Sequence, residues 1–347
     1  MKLKFVYWFA YYNLDSPSVR YRGKYPLDYL KSNYGIDSCF IYPSYQPKKI
    51  FQFIKAYFSA LLFRKNDSII VVQRINSNFI YATLLKLLVT IRKNNTIYDI
   101  DDADYLEFPP RTIYFFTKNC SKISVGSNEL IKNLSKFNRE IFLNTSPTPD
   151  LNIIKSEKNK LLTIGWIGGF GGNHKSSLLN NFFPSLKELP FKVKLILLGV
   201  SEKAEQQLLT DYFSLYENVE LEMPQVVDWT NEKEIQNYIV RFDIGIATLI
   251  DNEMQRSKSA FKAKQYLNNG IPVLSSDLIE NNLFVVHGKN GFLCNSPAEF
   301  RQRIIEINEL DSDEYKTLSL NARNSISHFN LNHYCNKLIS EFEKKVS

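Results

Sequence analysis

Residues 243–277, DIGIATLIDNEMQRSKSAFKAKQYLNNGIPVLSSD, constrain the fold more than any other stretch of the chain. Residues 244–250 are apolar and partly β-branched, and residues 260–267 are a run of helix formers. Gly270 stops that run just before a second strand-like segment, residues 271–275. Strand, loop, helix, glycine and strand in that order make a βαβ unit, whose strands lie parallel in one sheet. A helix opening at Ser259 carries Ala260, Ala263 and Leu267 on one stripe, and Lys258, Lys262 and Gln265 on another. Lysines at a helix N-terminus oppose the peptide dipoles, and a docked phosphate resolves the conflict. A solvated basic helix face is the plainer reading of the same residues.

The same alternation runs through the first half. Residues 3–10 read as a strand, residues 11–23 as a polar loop, 26–32 as a helix and 36–41 as a second strand. Residues 48–64, KKIFQFIKAYFSALLFR, fit an amphipathic helix that covers a sheet or enters a membrane interface. SIIVVQ at 68–73 is a buried parallel strand, 79–92 a helix and 96–100 another strand. A short strand at 123–125 leads to a helix at 129–136 with Ser127 as its N-cap.

Ser18, Arg20 and Arg22 lie in the first loop, where open α/β sheets place ligands, and suit a carboxylate or phosphate on an acceptor. Solvated loop arginines are the alternative. The strand at 96–100 runs into Asp101, Asp102 and Asp104. Carboxylates this close raise at least one pKa when they share a pocket, which suits a general base or a ligand for sugar hydroxyls. A capping and turn cluster is the competing reading.

The chain of 347 residues is long for one core, so two domains are expected, with 1–152 and 153–329 as their bounds and 330–347 as a closing segment. Composition, 44% hydrophobic and 23% charged, is that of a globular protein. Residues 1–150 carry 21 basic against 12 acidic side chains, and the remainder 22 against 24. The basic first half suggests peripheral contact with an anionic membrane surface or a phosphorylated acceptor. No zinc-finger spacing, RNP-like run or long basic tail points to nucleic acid. Cys39, Cys120, Cys294 and Cys335 are far apart and show no metal spacing, as in a reduced cytoplasmic protein. No window reads as a membrane-spanning helix; residues 50–63 are broken by Lys55.

The second half opens with a strand from Leu161 into GWIGGFGGNHKSS, a glycine-rich loop through which a ligand can approach the backbone. Strands at 195–199 and 219–223 and helices at 202–212 and 232–240 follow, and the opening βαβ unit completes the sheet.

Read in order, PSVRYRGKYPLDYL, YDIDDADY, SVGSNEL, IGWIGG, DIGIATLID, SKSAFKAKQYLNNGIPVLSSD and VVHGKNGFLCNSPAEF cover nearly the whole chain. Together they resemble the GT-B glycosyltransferases, in particular the bacterial nucleotide-sugar transferases that build surface polysaccharides. The resemblance implies two Rossmann-like domains facing across a cleft, acceptor on the first and donor on the second, with a C-terminal helix over 331–345 crossing back. It implies a UDP-sugar or related donor, a growing or lipid-linked glycan as acceptor, and no further cofactor or metal. Carried over, Gly168, Gly169 and Phe170 approach the pyrophosphate or sugar, and Gln225 and Val226 lie by the base. Lys258, Ser259, Ala260, Phe261 and Lys262 meet the diphosphate, and Gln265 faces the ribose.

The sequence departs from this pattern in two places: the arginine that relatives carry just after the glycine at 168 is missing, since Gly169 and Phe170 follow Gly168, and the usual glutamate pair is absent. Many retaining relatives carry two glutamates with seven residues between them, and Ser257 and Gln265 hold those positions here. Lys258 and Lys262, with Lys175, are then the residues left to neutralise phosphate. The resulting expectation is a metal-independent, retaining sugar transfer, with Asp101, Asp102 or Asp104 as the base of an inverting one. A sugar-nucleotide epimerase and a non-catalytic nucleotide-sugar-binding protein are the rival readings. His174 is the one histidine near the glycine loop.

Overall fold

The computed structural model describes residues 2–62, 67–75, 78–149 and 151–344. The chain divides into two compact units: Met1–Pro149 with Ser257–Ser259 and Phe329–Ser347, and Asp150–Arg256 with Ala260–His328.

The first unit is built on β1 (Phe5–Phe9), β2 (Asp37–Ile41), β3 (Ser68–Gln73), β4 (Thr96–Ile100), β5 (Lys122–Val125) and β6 (Ile141–Leu143), all parallel, in the order β2-β1-β3-β4-β5-β6. All six residues of β3 are buried, as its near-continuous β-branched run requires. Helices α1 (Tyr25–Tyr34), α2 (Pro47–Leu62), α3 (Phe79–Ile91), α4 (Pro110–Asn119) and α5 (Asn128–Leu134) join the strands. Val6 and Trp8 face a core shared with Leu27 and Leu30 of α1, whereas Tyr7, one residue on, points to the other face and bonds Ser59 of α2. Ser127 caps α5 as its spacing predicts, accepting from the Leu130 N–H.

The stretch read as a polar loop is not wholly one. Residues Val19–Lys24 form a π-helical turn that runs directly into α1, with Val19, Arg20, Tyr21 and Arg22 buried. Apolar Val19 and Tyr21 draw this turn against the core, a tertiary effect that its polar composition conceals.

The second unit holds β7 (Thr163–Ile167), β8 (Val193–Leu198), β9 (Val219–Glu222), β10 (Ile244–Ala247), β11 (Val273–Ser276) and β12 (Gly291–Cys294), all parallel, in the order β12-β11-β10-β7-β8-β9. Its helices are α6 (Gly172–Ser177), α7 (Lys203–Phe213), α8 (Glu232–Ile239), α9 (Glu253–Arg256), α10 (Phe261–Asn268), α11 (Ile279–Asn282), α12 (Pro297–Glu309) and α13 (Ser312–Ser325). Asp243, which opens the βαβ unit, is fully buried and fully used: it accepts from the N–H groups of Asn159 and Thr163 and pairs with Lys155 at 3.0 Å. Gly245 has to be glycine, because a Cβ there would sit 2.3 Å from the buried ring of Tyr266.

Two boundaries of the βαβ unit differ from the sequence reading. Strand β10 ends at Ala247 rather than 250. Helix α10 opens at Phe261 rather than Ser259, because Ala260 takes a left-handed conformation, φ 51°, that no helix residue adopts. Lys258 therefore lies outside the helix.

A last helix, α14 (Leu331–Glu343), packs on α1 in the first unit. Its Tyr334 hydroxyl donates to the Arg22 carbonyl at 3.1 Å, and Lys122 of β5 pairs with Glu341. The expected helix ends at Arg64 and Lys345 fall outside the described residues.

Candidate functional site

In the first unit, charge collects where β3 and β4 end. Arg74 follows β3 directly and is held at φ 48°, a conformation few non-glycine residues adopt. Its N–H bonds the Asp99 carbonyl, and its guanidinium lies 4.8 Å from the Tyr11 ring. From there it reaches all three carboxylates of the β4 terminus. It bonds both oxygens of Asp104 at 2.8 and 2.5 Å, and it meets Asp101 at 3.2 Å and Asp102 at 3.0 Å. Ser18 donates to Asp101 at 2.9 Å, and Lys258 donates to Asp102 at 2.9 Å. Ser257–Ser259 belongs to this unit by its packing, and the Ser257 carbonyl accepts from Ser127 at 2.7 Å.

Two cations thus face three carboxylates. Burial raises the Asp104 carboxyl pKa even against the pull of Arg74. Burial also works against the Lys258 ammonium, but Asp102 outweighs it and the Lys258 pKa rises.

In the second unit, β7 runs into the glycine loop. Gly168 has φ 148° and bonds the Leu198 carbonyl. A Cβ on it would lie 2.9 Å from Cε of Lys262, so the lysine stem lies against the loop backbone. Lys262 stands in the first turn of α10, a turn with no acidic residue. Its Nζ is 3.1 Å from Nε2 of His174 and 5.8 Å from the Trp166 ring. An ammonium has no lone pair, so it donates and the imidazole keeps its proton on Nδ1. Tyr266 of α10 accepts from the Ile167 N–H at 3.0 Å, which ties this helix to the end of β7. Trp229 packs beside the same loop, against Gly199.

A glycine loop with a lysine laid against it, at the C-terminal edge of a parallel sheet, is the kind of place where open α/β folds receive anionic ligands. Residues 162–309, which span β7 to α12, match the family model described as Glycosyl transferases group 1. The structure of a glycosyltransferase from Rickettsia africae matches with TM-score 0.69 at 14% identity, over 99% of this chain and 98% of that one. Sucrose-phosphate synthase of Thermosynechococcus elongatus matches with TM-score 0.68 at 12% identity, over 96% and 97%. Anabaena HepE, crystallised with UDP and glucose, matches with TM-score 0.65 at 12% identity, over 97% and 98%. No curated protein matches the sequence. The chain has the two-domain α/β fold of these GT-B glycosyltransferases.

Within this fold several residues singled out by sequence have other work. Arg20 and Arg22 are not open to an acceptor. Arg20 is buried and donates to the carbonyls of Leu14 and Asp15. Arg22 is fully buried and bonds both oxygens of Asp99, with further bonds to Asn144 and Ser124. Asp104 is sealed under Arg74 and so positions that guanidinium rather than accepting a proton from a substrate. Lys175 is held by both oxygens of Glu205, at 3.0 and 2.8 Å, and Phe170 is a core residue packed edge-on against Trp166. Lys258 is committed to Asp102.

The others fall on the surface or beside the loop. Gln225 and Val226 are exposed on the segment after β9. Gly169 lies in the glycine loop. Phe261 opens α10, Gln265 is a largely buried residue of it, and Ser259 and Ala260 are buried just before it. Ser18 holds Asp101. Sequence reading missed Arg74 and Tyr11, the centre of the charged cluster, and Tyr266, the brace of the glycine loop. The one signal for Arg74 was its place at the end of SIIVVQ, directly after a buried strand.

Proposed function

We propose that this chain is a glycosyltransferase that moves a hexosyl group from a nucleoside diphosphate sugar, with UDP as the favoured nucleotide, to a hydroxyl of a growing or lipid-linked surface glycan. The observation that carries the reading is Lys262, a cation lying against the Gly168 backbone in the first turn of α10. Neighbouring structures support the choice of nucleotide: HepE was crystallised with UDP-glucose, and the pneumococcal transferase GtfA with UDP and GlcNAc. In the reaction the bond from the anomeric carbon to the diphosphate oxygen breaks and a bond to the acceptor oxygen forms. Lys262 stabilises the charge that develops on the departing diphosphate.

Retention without a metal fits the acidic cluster. Arg74 and Lys258 already neutralise most of its charge, and each oxygen of Asp102 is engaged by one of these cations. A carboxylate held in this way is a weak proton acceptor, so the acceptor proton leaves on the departing phosphate. Ser257 and Gln265 stand where many retaining relatives carry glutamate, which favours one other reading, a binding protein without turnover.

Thermal shift with UDP, GDP, CDP and dTDP, followed by turnover of the corresponding donors, tests the reading. UDP is expected to raise the melting temperature most. Lys262→Ala is expected to weaken nucleotide binding about tenfold or more, the worth of one charge-assisted hydrogen bond. Equal binding by the variant would refute the assignment of Lys262, and binding without turnover of any donor and acceptor would leave the binding protein. The anomeric proton of the product, read by NMR, reports retention.

A further inference from the structure

Helices α2 and α3 lie side by side on one face of the first sheet, with Phe53 of α2 and Tyr81 of α3 packed ring to ring at 5.2 Å. Each turns one apolar stripe inward. Each also presents a second apolar stripe outward. On α2 this outer stripe is Phe51, Ile54, Phe58 and Leu62, at the i, i+3, i+7, i+11 spacing of one helix face, with Phe51 68% exposed. On α3 it is Phe79, Ile80, Leu87 and Ile91, with Phe79 82% exposed. Surface helices of a water-soluble protein ordinarily carry charge on that side.

The polar groups of the α3 stripe do not need water. The hydroxyls of Thr83 and Thr90 donate to the carbonyls of Phe79 and Lys86 in their own helix, at 2.8 and 2.9 Å. The one charge of α3, on Lys86, is drawn aside to Thr112 of α4 at 3.0 Å. Covering this face with hydrocarbon therefore leaves few polar groups unpaired. Tyr45, just before α2, is 93% exposed, an aromatic ring with a polar tip of the kind that settles at a membrane interface.

Charge decides what covers it. Helices α2, α3 and α4 contain Lys48, Lys49, Lys55, Lys86, Arg111 and Lys118 and no acidic residue at all. Two copies of such a face repel each other, whereas an anionic surface attracts it. We propose that the α2–α3 face is a docking surface for an anionic lipid bilayer, with the outer stripes at the acyl boundary and Lys48 and Lys55 at the headgroups. This face is distinct from the donor site around Lys262, so the two assignments stand or fall separately.

Sedimentation of the full chain with phosphatidylcholine vesicles, with and without about a quarter of phosphatidylglycerol, tests the proposal. Binding is expected only, or far more strongly, to the anionic vesicles. The double variants Phe51→Ser/Phe58→Ser and Lys48→Glu/Lys55→Glu are each expected to weaken it about tenfold or more. Both pairs sit on the surface, so melting temperature and UDP binding should stay as in the parent. The proposal is overturned if the parent binds neither vesicle, or if both variants bind as it does. It is also overturned if light scattering shows a stable dimer that Phe51→Ser/Phe58→Ser dissolves.

Discussion

Replacing Arg74 by methionine tests the charged cluster directly. The guanidinium meets Asp101 at 3.2 Å, Asp102 at 3.0 Å and Asp104 at 2.5 Å. At 3 Å and an effective dielectric of about 20, each such contact is worth about 5 kcal/mol of Coulomb energy, most of which offsets the desolvation of the partners. Removing one partner of a buried pair leaves the others uncompensated, at a net cost of about 3–5 kcal/mol. For a domain of this size that is a fall of about 10 °C in melting temperature.

The pH dependence separates this account from a simple loss of packing. Burial already raises the Asp104 pKa with Arg74 in place. Without the guanidinium, like charge on Asp101 and Asp102 raises it further above its unfolded value. A carboxyl raised in this way stabilises the fold below its unfolded pKa and loses that contribution as pH rises through the folded one. The deficit of Arg74→Met against the parent should therefore be small near about pH 4 and full near about pH 8. Urea unfolding of both proteins across that range measures it. A deficit that does not change with pH would refute the reasoning.

Arg22→Gln should cost about 3–5 kcal/mol, seen in the urea midpoint, because Asp99 is 1% exposed and would lose the cation it is buried against. Gly245→Ala should destabilise by about 1–3 kcal/mol or more by driving the new methyl into the Tyr266 ring, and should also speed hydrogen exchange at the Ile167 N–H, which that tyrosine's hydroxyl holds. Burial acts to raise the Glu341 pKa, but Lys344, Lys122 and Lys337 outweigh it and the net shift is downward. Its contribution is present above its unfolded pKa and fades as pH falls through the folded one. Glu341→Gln should thus lower the melting temperature at neutral pH and match the parent near about pH 3.

Much of the fold was legible because its signals are local. The β-branched run of β3 and the strand at 96–100 stand where the sequence places them, and Ser127 caps its helix, since each depends on residues a few positions apart. The short edge strand β6 went unread, as three residues carry too little periodicity to stand out. The opening of α10 was misplaced because helix propensity cannot show that Ala260 turns left-handed.

Sequence alone determined two sets of alternating strands and helices, a glycine loop opening the second, and a supply of lysines, arginines and aspartates around the strand ends. Tertiary structure decided which charges are spent. Arg74 and Asp104 are 30 residues apart, Lys175 and Glu205 30, and Lys258 and Asp102 156. No local pattern links such pairs. The first two pairs meet because parallel strands of one sheet bring their C-terminal ends to a common edge, where segments remote in sequence converge, and Lys258 reaches Asp102 because residues 257–259 pack with the first unit. The same convergence buries Arg22 in its ion pair and leaves Lys262 against the backbone of Gly168, while Lys258 pairs with Asp102 part-exposed.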